Sequence, residues 1–219
     1  MSEVELCNDA LAYFGKARIN SLQDPEPAAR LCNQTLARTI REFQASYDWG
    51  FNLTDRDIAA QSQASKIPGF RYKHLLPVDY LRFAALGRTD TTSGTMLDAT
   101  FNPVSVSTPS DDLRVLRLRM RASPVPMRIA GGFIHTQYTP IRLLYHKHVT
   151  NIDAMPDLVR QALALQQASK LVFPLTRDMK LTDSIRVLAA DALSFARDEE
   201  GLDEYEEEPE GSSFQDARR

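Results

Sequence analysis

The stretch PEPAARLCNQTLARTIREFQASY, residues 25–47, decides the helical part of the fold. Its apolar residues recur every three or four positions, the spacing of one face of an α-helix. Asp24 followed by Pro25 is typical of an N-cap with proline in the first turn. We therefore predict a helix from Pro25 to Tyr47 with one buried stripe. The stripe comprises Ala28, Leu31, Cys32, Leu36, Ile40, Phe43 and Tyr47.

Three other segments have the same period. Val4 to Phe14 precedes Gly15, a typical C-cap glycine. Pro156 to Phe173 has Leu158, Val159, Ala162, Leu163 and Phe173 on its predicted inner edge, and Pro174 is expected to stop it. Lys180 to Arg197 is the fourth segment, and its apolar residues keep the helical period: Leu181, Ile185, Leu188, Ala189, Ala192, Leu193 and Ala196. The short connectors within each pair predict two antiparallel helical hairpins.

The middle of the chain has the patterns of β-structure. We predict strands over Arg82 to Leu86, Leu113 to Met120 and Ile141 to His148. The second of these changes phase at Val115-Leu116, which indicates a bulge. Gly131-Gly132 is flanked by Val125 to Ile129 and Phe133 to Tyr138, which is typical of a hairpin.

These elements predict an α+β protein. Residues 1–65 and 150–197 form a four-helix bundle from the N- and C-terminal helical hairpins, and residues 66–149 form an inserted β-rich domain. Residues 198–219 form an extended acidic C-terminal tail. This plan suits assembly more than catalysis.

Charge is distributed unevenly along the chain. The net charge is −3 over 219 residues, but residues 198–219 carry ten acids and two arginines, so the rest of the chain has a net charge of +5. A segment of this composition buries too little apolar surface to fold alone. We interpret it as a docking arm, with acids such as Glu206 and Glu207 giving orientation. Its large apolar residues, which would anchor it, are Leu202, Tyr205 and Phe214.

Two groups of arginines are candidates for contact with other subunits. Arg30, Arg38 and Arg41 of the second helix form either a solvated surface or a basic face for another subunit's acids. Arg117, Arg119 and Arg121 share one face of the predicted strand. That face is either an exposed sheet surface, a protein interface or a nucleic-acid contact, and a subunit interface is our working choice.

Candidate sites of chemistry are few. Cys7 and Cys32 occupy apolar helix positions and are interpreted as buried free thiols rather than a disulfide or redox pair. His146 and His148 lie on one strand face but have no convincing third ligand, so no metal or other cofactor is predicted. Trp49, just after a helix end, is interpreted as a core anchor, with a partner contact as the alternative. The apolar runs are too short to cross a bilayer, and the acids of Met1 to Leu11 argue against a signal peptide.

An ordered series of short motifs resembles the tail tubular protein A family, the head-to-tail adaptors of short-tailed bacteriophages. The series starts with Cys7-Asn8-Asp9-Ala10-Leu11 and Ile19-Asn20-Ser21-Leu22 and continues with Trp49-Gly50-Phe51-Asn52. The later motifs are Leu76-Pro77-Val78-Asp79-Tyr80-Leu81-Arg82, Ile141-Arg142-Leu143-Leu144-Tyr145, Met155-Pro156 and Ala168-Ser169-Lys170. The series spans nearly the whole chain, from Cys7 to about Arg197.

The resemblance implies a structural virion protein rather than an enzyme. Such adaptors form a ring, usually of twelve subunits, between the portal protein and the tail nozzle protein. Genomic DNA passes through the lumen without sequence recognition, and no membrane is involved. The expected location is the neck of the virion, after synthesis in the host cytoplasm. Two alternatives stay open: a transient head-completion or assembly-chaperone protein, and a small hydrolase or nuclease.

Overall fold

The computed structural model describes residues 2–89, 96–97, 103–104, 113, 117, 120–121 and 125–205. The described residues combine four long α-helices with antiparallel β-sheets, so the α+β class is confirmed. The helices are α1 (Glu3–Ala12), α2 (Pro27–Ala45), α3 (Asp157–Thr176) and α4 (Met179–Tyr205). The strands are β1 (Leu53–Ile58), β2 (Tyr72–Leu75), β3 (Tyr80–Thr89), β4 (Met96–Leu97), β5 (Pro103–Val104), β6 (Met127–Ala130), β7 (Phe133–Thr136) and β8 (Ile141–Lys147).

Local capping explains where the first two helices begin. Ser2 and Glu5 form a reciprocal capping box at the start of α1, and Gly15 adopts the left-handed conformation after its end. The predicted N-cap at Asp24 is wrong. Helix α2 starts later, after Glu26, and the Asp24 carboxylate instead accepts hydrogen bonds from the backbone N–H groups of Asn20 and Ser21. Asp24 therefore stabilises the connector between α1 and α2 and does not cap α2.

The last two helices are longer than their sequence pattern predicts. Pro174 lies inside α3, which ends only at Thr176, where Arg177 turns into the left-handed region at φ 56°. A proline so near the end removes only one hydrogen bond of the last turn, so it does not stop the helix. Asp178 then caps α4 by accepting bonds from the N–H groups of Lys180 and Leu181. Helix α4 continues beyond the predicted end at Arg197 to Tyr205.

One hydrophobic core joins the four helices. Helix α3 packs against α1, α2 and α4, and so is the central element of this layer. Cys7 and Cys32 are buried in this core as free thiols, as predicted. Their mutual hydrogen bond and their burial raise the pKa of Cys7, so its thiol stays protonated. The most central core residues include Leu6, Leu11, Cys32, Ala162, Leu163, Ala168 and Leu171.

The strands form two antiparallel sheets. One has the order β1-β8-β3-β4-β5 and the other the order β2-β7-β6. The predicted hairpin is confirmed: β6 pairs with β7, and both Gly131 and Gly132 have positive φ in the turn. The predicted strand over Ile141 to His148 is confirmed as β8, which is the second strand of the larger sheet. Strand β1 pairs with β8, so residues 53–58 belong to this sheet although they lie in the range predicted for the helical bundle.

The predicted strand from Leu113 to Met120 is wrong at the residues that the structure describes there. Leu113, Arg117 and Met120 are helical, and so is Arg121. Met120 is buried beside Leu53 and Leu144 of the sheet, and Leu113 packs partly against the same cluster. Spacings of four and three residues suit one face of a helix, whereas the alternation of leucine and arginine suggested a strand. Arg119 and the rest of this stretch lie outside the described residues.

Candidate functional site

The end of α2 and the larger sheet meet at a cluster of charged side chains, which we call the Asp48 cluster: Asp48, Arg82, Arg117, Arg121 and His146. Asp48 lies three residues after the last residue of α2, Arg82 lies on β3, and His146 lies on β8. The Asp48 carboxylate pairs with Arg117 and, at 2.5 Å, with Arg82. A guanidinium nitrogen of Arg121 lies 3.8 Å from Oδ2 of Asp48, and Nε2 of His146 lies 3.5 Å from Oδ1 of Asp48. One carboxylate therefore gathers four groups from separate parts of the chain.

The ion pairs of the Asp48 cluster matter for stability because two of its side chains are buried. Arg117 is only 6% exposed and His146 is fully buried, so neither side chain is solvated by bulk water. A buried guanidinium needs an ionic or hydrogen-bonded partner, because desolvating an unpaired charge costs several kcal/mol, about 3 or more. Asp48 supplies that ionic partner for Arg117. The cluster is therefore the polar joint between the helical layer and the sheet.

His146 is held neutral inside the cluster. Its Nδ1–H donates to Oδ1 of Asn52 across 2.7 Å, since an amide oxygen can only accept. Burial, together with the positive charges of Arg117 and Arg82, lowers the pKa of His146 to about 4. The nearby Asp48 carboxylate would favour the imidazolium, but the arginines already neutralise it. At neutral pH the imidazole of His146 is therefore uncharged.

The low pKa of His146 makes stability depend on pH. An unfolded histidine titrates near 6.5 and the native one near 4, so the unfolded state binds more protons between these values. The contribution of His146 to stability is fully present above about pH 6.5 and is lost as the pH falls toward 4. We expect His146 to contribute a loss of about 2 kcal/mol in the free energy of unfolding between about pH 7 and about pH 5.

The measurement is urea denaturation of the wild type and the His146→Gln variant at both pH values. Glutamine keeps an amide hydrogen bond but does not titrate, so the variant should lose this part of the pH dependence. Other titrating groups are common to both proteins and cancel in the difference. Equal pH dependence of the two proteins would show that His146 is not the group responsible.

A second polar contact ties α2 to the segment that follows β8. Nε2 of the buried Gln44 side chain donates to the carbonyl of Val149 at 2.7 Å, and its Oε1 accepts from the N–H of Val149 at 3.0 Å. His148 also bonds to Oε1 of Gln44 through Nδ1 at 3.1 Å. Burial and the charge of Arg41 lower the pKa of His148. His146 and His148 thus serve different contacts, one in the Asp48 cluster and one beside Gln44.

Among the residues that the structure describes, no group of three or more His, Cys, Asp or Glu side chains is arranged to hold a metal ion. Within the same residues, no helix is both long enough and apolar enough to cross a membrane.

The predicted interface arginines have different surroundings. Arg30 and Arg38 are exposed on α2, and Arg38 pairs with Glu42 at 2.5 Å. Arg117 and Arg121 both lie beside Asp48, but Arg117 is buried within this chain while Arg121 is exposed. Of the predicted docking residues, Leu202 and Tyr205 lie in the last part of α4. Glu206, Glu207 and Phe214 lie outside the described residues, as does Arg119.

Helix α4 carries an exposed apolar surface that the sequence pattern did not reveal. Val187 is 60% exposed, Leu188 49% and Phe195 69%; we call these three residues the α4 stripe. The sequence pattern grouped Leu188 with the residues that keep the helical period, but its side chain is exposed. Ile185, Ala189 and Ala196 supply the buried face instead. Leu158 and Phe173 of α3, predicted to face inward, are exposed too.

The surface of the helical layer also contains two grooves. One, with a volume of about 550 Å³, lies between α1 and α3 and is lined by Asp9, Ala12, Tyr13, Asp157, Arg160, Gln161 and Ala164. The other, of about 340 Å³, lies between α2 and α3 and is lined by Gln34, Thr35, Arg38, Glu42 and Lys170. In the second groove Glu42 pairs with both Arg38 and Lys170, which lowers the pKa of Glu42 to about 2.

Comparison with known proteins adds no relative: no protein-family model matches this chain, and the curated proteins give no significant match.

Proposed function

We propose that this protein is a structural virion component, a head-to-tail adaptor that forms a ring between the portal protein and the tail nozzle of a short-tailed bacteriophage. The observation that carries the proposal is the α4 stripe, an apolar surface of three large side chains on one long helix. Large exposed apolar patches mark interaction sites, because leaving them in water is unfavourable. The resemblance of the ordered motifs to tail tubular protein A names the kind of assembly.

In this proposal the four helices are a bundle that forms the body of the ring. Residues from both ends of the chain contribute to its core, so a domain inserted between them projects without interrupting the bundle. The Asp48 cluster fixes the sheet to the end of α2 and so holds the insert in one orientation. A rigid joint of this kind suits a subunit that transmits contacts between two neighbouring rings.

The acidic C-terminal segment has the role of a docking arm toward the portal or an adjacent subunit. Its first part is the end of α4, which places Leu202 and Tyr205 on a helix. The acids that follow, such as Glu206 and Glu207, would steer the arm toward basic surface, while apolar residues anchor it. The virion neck is the proposed location, with DNA passing through the lumen of a ring of about twelve copies, the closed cyclic symmetry that identical subunits favour.

The proposal is tested on purified phage particles. We expect mass spectrometry to detect this chain in several copies per particle and electron cryomicroscopy of the neck to show it as a closed ring. A protein that is required for particle assembly but absent from finished particles would instead be a transient head-completion factor. A single decorating copy at the neck would contradict the ring.

A further inference from the structure

We propose that the α4 stripe of one copy packs on the outer face of α2 in the next copy. The inference deepens the proposed function, because it rests on a ring of identical subunits and names the two surfaces that would join them. A closed ring requires a heterologous contact, in which two different patches of the same chain meet. The occupant of the α4 stripe is therefore a second copy of this chain.

The first argument is geometric. Leu188 and Phe195 are seven residues apart, two helical turns, so they lie on the same face of α4 with Asp191 between them. Ile185, Ala189 and Ala196 lie on an adjacent face, which is buried in the core; Ala189 and Ala196 directly follow Leu188 and Phe195, about 100° further around the helix. A helix that packs on its own chain with one face is thus free to pack on another subunit with the other.

The second argument is charge. The exposed residues of α4 between Lys180 and Glu199 include four acids and two bases, a net charge of −2. The acids are Asp183, Asp191, Asp198 and Glu199, and the bases are Lys180 and Arg186. The exposed side of α2 carries three arginines and one acid, a net charge of +2. These are Arg30, Arg38, Arg41 and Glu42. The two helices are therefore complementary in sign, which orients association.

The third argument concerns the shape and chemistry of the α2 face. Ala37 and Ala45 are exposed among the arginines, so the backbone of α2 can be approached closely there. Arginine side chains cover apolar groups with their stems and stack on aromatic rings with their guanidinium planes. Among the described residues, Arg30 and Arg41 have no ion-pair partner, whereas Arg38 is held by Glu42. On α4, Phe195 offers an aromatic ring on which an arginine can stack, and the acids offer carboxylates with which it can form ion pairs.

The alternative groove for α4, between α1 and α3, fits less well. Its rim carries Asp9 and Asp157, and Asp157 already pairs with Arg160. An acidic helix approaching this groove would meet acids of its own sign. Like charges that face each other across an interface oppose binding. The α2 face is therefore the better receptor.

The experiment uses two variants of the full chain, each with one surface disabled. Phe195→Asp disables the α4 stripe, and the double variant Arg30→Glu/Arg41→Glu disables the α2 face. Val78→Asp and Arg18→Glu are the matched controls, since both residues are exposed but lie on other surfaces. Sedimentation velocity measures assembly size, and thermal unfolding verifies that every variant folds like the wild type.

We expect the wild type and both controls to self-associate, and each surface variant to do so about tenfold more weakly or worse. An equimolar mixture of the two surface variants should form a complex of two chains, because one intact α4 stripe then meets one intact α2 face. Raised salt should weaken all these contacts, since it screens the arginine–acid pairs.

Three results would overturn the inference. These are a wild type that stays monomeric at its highest soluble concentration, a Phe195→Asp variant that assembles like the wild type, and a variant mixture that forms no pair. Self-association of the α2 variant alone would indicate a symmetric contact between two α4 helices instead. None of these results decides whether the chain is found at the virion neck, so the proposed function is tested separately.

Discussion

Replacing Trp49 with alanine is expected to lower the free energy of unfolding by about 4 kcal/mol, the largest effect of any single change considered. The indole ring is fully buried and stacks on Phe43 at a centroid distance of 5.0 Å. Tyr47 meets it edge-on at 5.0 Å, and Nε1–H donates to the carbonyl of Phe43 at 3.1 Å. Truncation would leave a large cavity and remove one hydrogen bond to the Phe43 carbonyl, which keeps the two bonds that Ser46 donates through its N–H and hydroxyl groups.

Equilibrium urea denaturation followed by far-ultraviolet circular dichroism measures this loss, since Trp49 is the only tryptophan and fluorescence would be lost with it. Phe173→Ala is the control: it also removes an aromatic ring, but an exposed one outside the proposed subunit contact, so its effect on stability should stay within about 1 kcal/mol. A loss below about 1 kcal/mol for Trp49→Ala would contradict its role as a core anchor and favour the alternative of a partner contact.

The glycine pair Gly131-Gly132 between two apolar runs predicted the hairpin, and the helix and strand patterns together predicted the fold class. The helical period in the sequence was sufficient to predict α1 to α4. It did not predict the ends of the helices. The acids after Arg197 suggested an unfolded tail, yet α4 continues to Tyr205, because glutamate is itself a good helix former. The segment containing Leu113 and Met120 has apolar residues whose spacing fits either a strand or a helix, and the helix prevailed at the described positions.

The sites depend on information that one sequence lacks. The members of the Asp48 cluster are up to 98 positions apart, from Asp48 to His146, and only the fold brings them together. Arg117 therefore looked like a surface charge although it is buried. The α4 stripe was missed for a different reason: Leu188 lies three residues after Ile185 and close to it around the helix, so periodicity could not tell the exposed residue from the buried one. Only the packing on α3 decides which side is buried.

Replacing Asp48 with asparagine is expected to lower the free energy of unfolding by about 3 kcal/mol. Asparagine keeps the shape of the side chain but removes the charge that pairs with Arg117 and Arg82. The buried Arg117 guanidinium would then lose its ion-pair partner Asp48, and Arg82 and Arg121 would repel it with less compensation. The effect is far larger than that of an exposed ion pair, which contributes at most about 1 kcal/mol.

The matched control is Asp57→Asn on an exposed edge of the sheet. It breaks a bidentate ion pair in which two guanidinium nitrogens of Arg142 each donate to one carboxylate oxygen of Asp57 at 2.8 Å. We expect it to cost no more than about 1 kcal/mol. A double-mutant cycle of Asp48→Asn with Arg117→Met then isolates the pair. If burial of the arginine causes the loss, the double variant should be clearly more stable than the sum of the single effects predicts. Additive effects would show that Asp48 stabilises the protein through its other partners, and the joint between α2 and the sheet would have to be assigned to Gln44 and its bonds to Val149.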